Sequence, residues 1–211
     1  MGESTDIKHA TPKAAAVLAA SSVAVLSVPS WVTVPLWCIA LCASALVRVP
    51  VPFSDVPMTL QLLAVLLAGF ALSPGRAVAA VLMYLACGVV GLPVFAGTGG
   101  LFGATGGYLI GFLIAAWVVS VLKGHRHASL ARLVAVAMAG TTVVFALGVA
   151  WLTGFYRGNV MFAVTSGLAP FLVKGLIEAG LAVAMVRSAR ALRPDRRSTG
   201  VNRRCAADSS G

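Results

Sequence analysis

Long apolar runs constrain this chain more than any other feature. A membrane-spanning helix needs ~20 mostly apolar residues. Six stretches approach that requirement: 30–48, 56–72, 76–92, 107–122, 131–152 and 168–189. Their apolar residues do not keep to one helix face, as expected of helices surrounded by lipid and protein. With 59% of residues hydrophobic, 10% charged and a mean hydropathy of +0.96, lipid is a better solvent for this chain than water. The expected fold class is an all-α membrane protein, a six-transmembrane-helix bundle with an additional short N-terminal apolar segment.

That extra segment is 14–28 (AAAVLAASSVAVLSV). It is short for a span, and Ser21, Ser22 and Ser27 weaken it. Ala16, Ala20 and Ala24 form a small-residue stripe suited to helix packing. An interfacial helix, an extra span and an uncleaved signal-like anchor all fit, and a short accessory helix fits best. The expected organisation is an N-terminal segment (1–29), a membrane substrate-binding domain (30–190) and a basic, disordered cytoplasmic tail (191–211).

The net charge of +10 does not point to nucleic acid, because the basic residues sit at helix ends and in the tail. With six spans, one side carries Arg76, Lys123, Arg126, Arg132 and the arginines from Arg187 to Arg204. The other carries Arg48 and Arg157. The positive-inside rule then makes the C-terminus cytoplasmic in a multi-pass cell (inner) membrane protein. Loops 48–56, 93–106 and 153–167 face outward, and all three have unusual composition.

In the first, Pro50, Pro52 and Pro57 stiffen the backbone. They hold Phe53, Ser54 and Asp55 over a cavity mouth. Thr59 and Gln61 follow just inside the second span. A glutamine amide facing lipid is costly, so Gln61 should face the protein interior or a cavity. The second loop is glycine-rich, GLPVFAGTGGLFGATGGYLIGF at 91–112. Gly99, Gly100 and Gly107 permit close approach of a ligand to backbone. Thr98 and Thr105 supply hydroxyls, and Phe95, Phe102 and Tyr108 supply flat apolar surface. A tight connection between spans is the structural alternative. No strand precedes these glycines, so a nucleotide-binding reading fails. In the third loop, 158–166 suits a short amphipathic helix across the mouth, with Phe155 and Tyr156 beside it.

Lys174 and Glu178 stand four apart in the sixth span and share a helix face. Ionisable residues inside a span are expensive unless paired or facing water. An intrahelical pair or the floor of an outward pocket would satisfy that. Cys38, Cys42 and Cys87 lie in apolar runs and Cys205 in the tail, without a CxxC. They read as packing residues, with no metal site. No nucleophile–base pair emerges, so no catalytic residues and no enzyme activity are expected. No Walker motif is present either, so the chain cannot use ATP by itself. A small-molecule pocket remains.

Four stretches carry a resemblance: VPVPFSDVPMTLQLLAVLLAG, YLACGVVGLPVFAGTGG, GATGGYLIGF and APFLVKGLIEAGLA, within roughly 45–185. In this order they resemble the BioY family, the biotin-binding S components of energy-coupling factor transporters. The resemblance implies a six-helix bundle holding biotin near its outer face as cargo, with no cofactor. It also implies a transmembrane coupling subunit and two cytoplasmic ATPases as partners, although some members are thought to work alone. Ala40 and Ser44 match the family's small-residue docking face on the first helix.

Two departures stand out. The family's SPVP reads Ser54-Asp55-Val56-Pro57 here. Its sixth-helix pattern, PF-x-x-G-D-x-x-K, places Gly175 at the Asp position and Glu178 at the Lys position, with Lys174 one residue earlier. Acid and base are retained in reversed order, and Asp55 offers a second acid. Biotin capture, with ATP-driven delivery inward, is the expected function. The alternatives are a solo transporter of biotin or a related small carboxylate, a membrane enzyme using Asp55 and Glu178, and a structural subunit.

Overall fold

The computed structural model describes residues 29–49, 56–95, 99–125 and 128–192. Among them are seven α-helices, one two-stranded hairpin and a single 3-10 turn. The expected helix at 14–28, the tail beyond 192 and the tip of the proline loop lie outside the described residues.

Helix α1 spans Ser30–Leu46. Strands β1 (Arg48–Val49) and β2 (Met58–Thr59) then pair antiparallel, with Arg48 opposite Thr59 and Val49 opposite Met58. The proline-rich segment is thus closed at its base by a ladder. Arg48 reinforces it, donating from Nε to the Ala45 carbonyl and from Nη2 to the Pro93 carbonyl, each at 2.8 Å.

Helix α2 is Gln61–Ala71. The apolar run beginning at 56 suggests a longer span, but its first residues are spent on the bend and on β2. Eleven helical residues rise only ~16 Å, about half a bilayer core. Its far end is held from α4, Gly106–Leu122. Ser120 Oγ donates to the Leu72 carbonyl at 2.8 Å. Lys123 Nζ donates to the carbonyls of Leu72 and of Gly69, the latter at 3.2 Å. Burial, with repulsion from Arg190 and Arg76, lowers the pKa of the Lys123 ammonium to about 8.

Helix α3 runs Pro74–Val89, starting at a proline whose missing N–H costs nothing in the first turn. Helix α5, Leu130–Phe155, is capped by Ser129, whose hydroxyl accepts from the Arg132 N–H. Helix α6, Val160–Gly167, matches the expected amphipathic segment and is capped by the Asn159 side chain. Helix α7, Ala169–Ala191, carries Lys174 and Glu178. Among the described residues two helices, α5 and α7, are long and apolar enough to cross a membrane by themselves.

The core is built around α4, which packs against α2, α3 and α5, while α7 closes the bundle against α2 and α5. Leu41, Val65, Leu66, Val81, Tyr84, Val119 and Leu152 are fully buried. Trp117, Leu122, Val134, Leu172, Val173, Leu176 and Ile177 stay exposed on outer surfaces. An apolar exterior of this kind fits hydrocarbon rather than water.

Candidate functional site

A cleft opens between the start of α2, the N-terminal half of α4, the middle of α5 and the start of α7. It holds about 530 Å³ of space, the open solvent at its mouth included. Val56, Pro57, Leu62, Leu109, Phe112, Val144, Phe145 and Phe171 form its apolar wall. The polar groups on it are Thr59, Gln61, Thr105, Tyr108 and Lys174.

Each polar group has a local reason for its place. Thr59 ends β2, two residues before α2 begins, and its hydroxyl donates to Gln61 Oε1 at 3.1 Å. Gln61 is 2% exposed, and its Nε2 donates to the Tyr84 hydroxyl at 2.6 Å. Tyr108 can lie flat against α5 because Gly148 has no side chain. A Cβ there would stand 2.3 Å from the Tyr108 ring. The Tyr108 hydroxyl donates to the Gly167 carbonyl at 2.6 Å, fastening α4 to the end of α6.

Lys174 Nζ donates to Glu178 Oε2 at 2.8 Å. The two side chains are unequally buried, 23% exposed for Lys174 and 2% for Glu178. Lys174 therefore faces the cleft with Glu178 behind it as counter-charge. Two side-chain atoms here are buried without a partner, Thr105 Oγ1 and Glu178 Oε1. Buried polar atoms normally find partners; Thr105 lines the cleft, and its hydroxyl oxygen is itself buried without one.

Thr59, Gln61, Thr105, Tyr108 and Lys174 thus come together from three separate segments of the chain. Phe95, Gly99, Gly100, Gly107 and Glu178 do not line the cleft. Phe95 packs edge-on against Tyr84, ring centroids 5.8 Å apart. Gly99 and Gly100 take positive φ values entering the 3-10 turn Gly100–Phe102. Gly107 admits Trp151, which a Cβ would meet at 2.2 Å. Phe53, Asp55 and Thr98 lie outside the described residues. Ala40 is half-buried on α1, and Ser44 Oγ donates to the Leu41 carbonyl at 2.7 Å. The apolar wall gives no separate signal in the sequence, because its residues are the same types that face lipid. Gly175 abuts that wall, with a Cβ there falling 2.7 Å from the Phe145 ring.

Comparison with known proteins decides the relationship. The model of the BioY family matches residues 10–195. The chain belongs to the BioY family. The biotin transporter BioY of Thermotoga maritima is 34% identical over 152 residues, covering 70% of this chain and 89% of that protein. The probable biotin transporter BioY of Pyrococcus horikoshii is 34% identical over 141 residues, covering 64% and 82%. A crystal structure of the S-component for biotin from an ECF-type ABC transporter shares the fold. It has a TM-score of 0.58 and 23% identity, over 91% of this chain and 96% of that one. BioY membership, with the apolar helices, makes this a membrane protein of a transporter family, not an enzyme.

Proposed function

We propose that this chain captures biotin at the outer face of the cell membrane and delivers it inward with an ATP-powered coupling module. The carrying observation is the cleft. Among the described residues one charged group, Lys174, faces it, and Thr105 and an aromatic wall line it as well. A cation suits the carboxylate of biotin, and the apolar wall suits its ring and alkyl chain. In this reading the helices cross the membrane as six spans, α6 lies at the outer surface, and the C-terminus is cytoplasmic. Ala40 and Ser44 face the coupling subunit. Biotin is cargo, and no cofactor is needed.

A second reading, solo transport, has one observation in its favour. A Lys–Glu pair inside a transmembrane helix is the kind of feature that marks ion-coupled pathways. Biotin uptake in an auxotrophic host separates the two. With the coupling subunit and both ATPases co-expressed, uptake should rise well above that of the chain alone. Equal uptake without them would favour the solo transporter.

A further inference from the structure

The hydrogen bonds behind the Thr59 end of the cleft have a fixed direction. A tyrosyl hydroxyl carries one proton. That of Tyr84 goes to the Val94 carbonyl oxygen at 3.1 Å, an atom that can only accept. Toward Gln61 the Tyr84 oxygen must therefore accept, so the amide atom facing it is Nε2, at 2.6 Å. The amide oxygen Oε1 is then turned to Thr59 and takes its single hydroxyl proton at 3.1 Å. Tyr84 is fully buried and Gln61 nearly so, so water does not compete for the two bonds of the Tyr84 hydroxyl. Thr59 and Gln61 line the cleft, while Tyr84 does not.

The consequence lies at Thr59. Its proton is committed inward and one lone pair takes the Gln61 backbone N–H at 3.5 Å, so the remaining lone pair is left for the cleft. We propose that Tyr84 is a positioning residue: through Gln61 it holds Thr59 as a hydrogen-bond acceptor for an N–H at the head of the ligand. The ligand class is a small carboxylate whose opposite end carries N–H donors, such as a cyclic urea. Its acid end lies at Lys174 and its head at Thr59. This rests on the biotin-capture reading and adds a direction to it. The reversed sixth-helix motif supports the assignment, because glycine at 175, packed on Phe145, offers the head group no acid.

Titration of the detergent-purified chain with biotin, and with biotin methylated on both ureido nitrogens, tests the role. The wild type should prefer biotin. Tyr84→Phe should weaken biotin roughly tenfold while leaving the methylated analogue nearly unchanged, so the preference shrinks. Thr59→Val should shrink it as much, and the double variant no further than either single one. Equal weakening of both ligands by Tyr84→Phe, or full additivity with Thr59→Val, would overturn the role. Should Tyr84→Phe lose its thermal transition, Thr59→Val decides alone, and an undiminished preference there rejects the proposal. A folded wild type that binds neither ligand would instead refute biotin capture itself, and this role with it.

Discussion

Lys174→Met should abolish tight biotin binding and destabilise the folded chain by about 3 kcal/mol, the scale of breaking a buried pair by removing one partner. The reason is the asymmetry of burial. Glu178 is 2% exposed, and its Oε1 already lacks a hydrogen bond. Without the ammonium, a carboxylate with no partner remains inside the bundle. Lys174→Met with Glu178→Leu removes both charges and should recover most of the stability, because apolar replacement of a buried pair is often neutral or better. It should not recover binding. Thermal unfolding in detergent and a binding isotherm on the same preparations read the two effects separately. A double variant that binds biotin tightly would remove Lys174 from the site.

Gly148→Val should be nearly as damaging, by a steric route. The added carbons fall on the Tyr108 ring, which a Cβ alone would approach to 2.3 Å. Tyr108 is both cleft wall and the donor to Gly167. Moving the ring opens the α4–α5 seam and breaks that fastening. Overpacking of this kind costs about 1–3 kcal/mol, and binding should fall with it. Gly180→Ala is the matched control, since a Cβ there meets nothing within 4 Å. It should be neutral, or stabilising by about 0.5–1 kcal/mol from helix propensity. Melting temperatures in detergent compare them, and similar values for both variants would contradict the close-packing account.

Several features of the fold are legible in the chain because their causes are local. Helix starts are marked by Pro74, Ser129, Asn159 and Pro170. The Lys174–Glu178 contact follows from helical spacing alone. Other features depend on partners distant in sequence. The prolines of 50–57 suggest extended backbone, but nothing local says that Arg48 pairs with Thr59. The glycine at 107 reads as room for a ligand, whereas the space is taken by Trp151 from α5. Gln61 is correctly legible as an interior amide. Tyr84 passes for an ordinary helix aromatic until its hydroxyl is found between Gln61 and Val94.

The reversed order of acid and base on α7 is one of the two departures from the family pattern in the sequence. Gly175 abuts Phe145, and the cation has moved one turn toward the start of the helix, at Lys174. Among the described residues the charged group facing the cleft is therefore basic, with its acid behind it. That arrangement suits an anionic ligand and disfavours a cationic one.

Isothermal titration of the detergent-purified chain with biotin, after removal of any co-purified ligand, tests the central claim most directly. Tight binding at one biotin per chain is predicted, lost in Lys174→Met with Glu178→Leu. A well-folded chain that takes up no biotin would contradict it, and would mean that the BioY scaffold here serves a different small carboxylate.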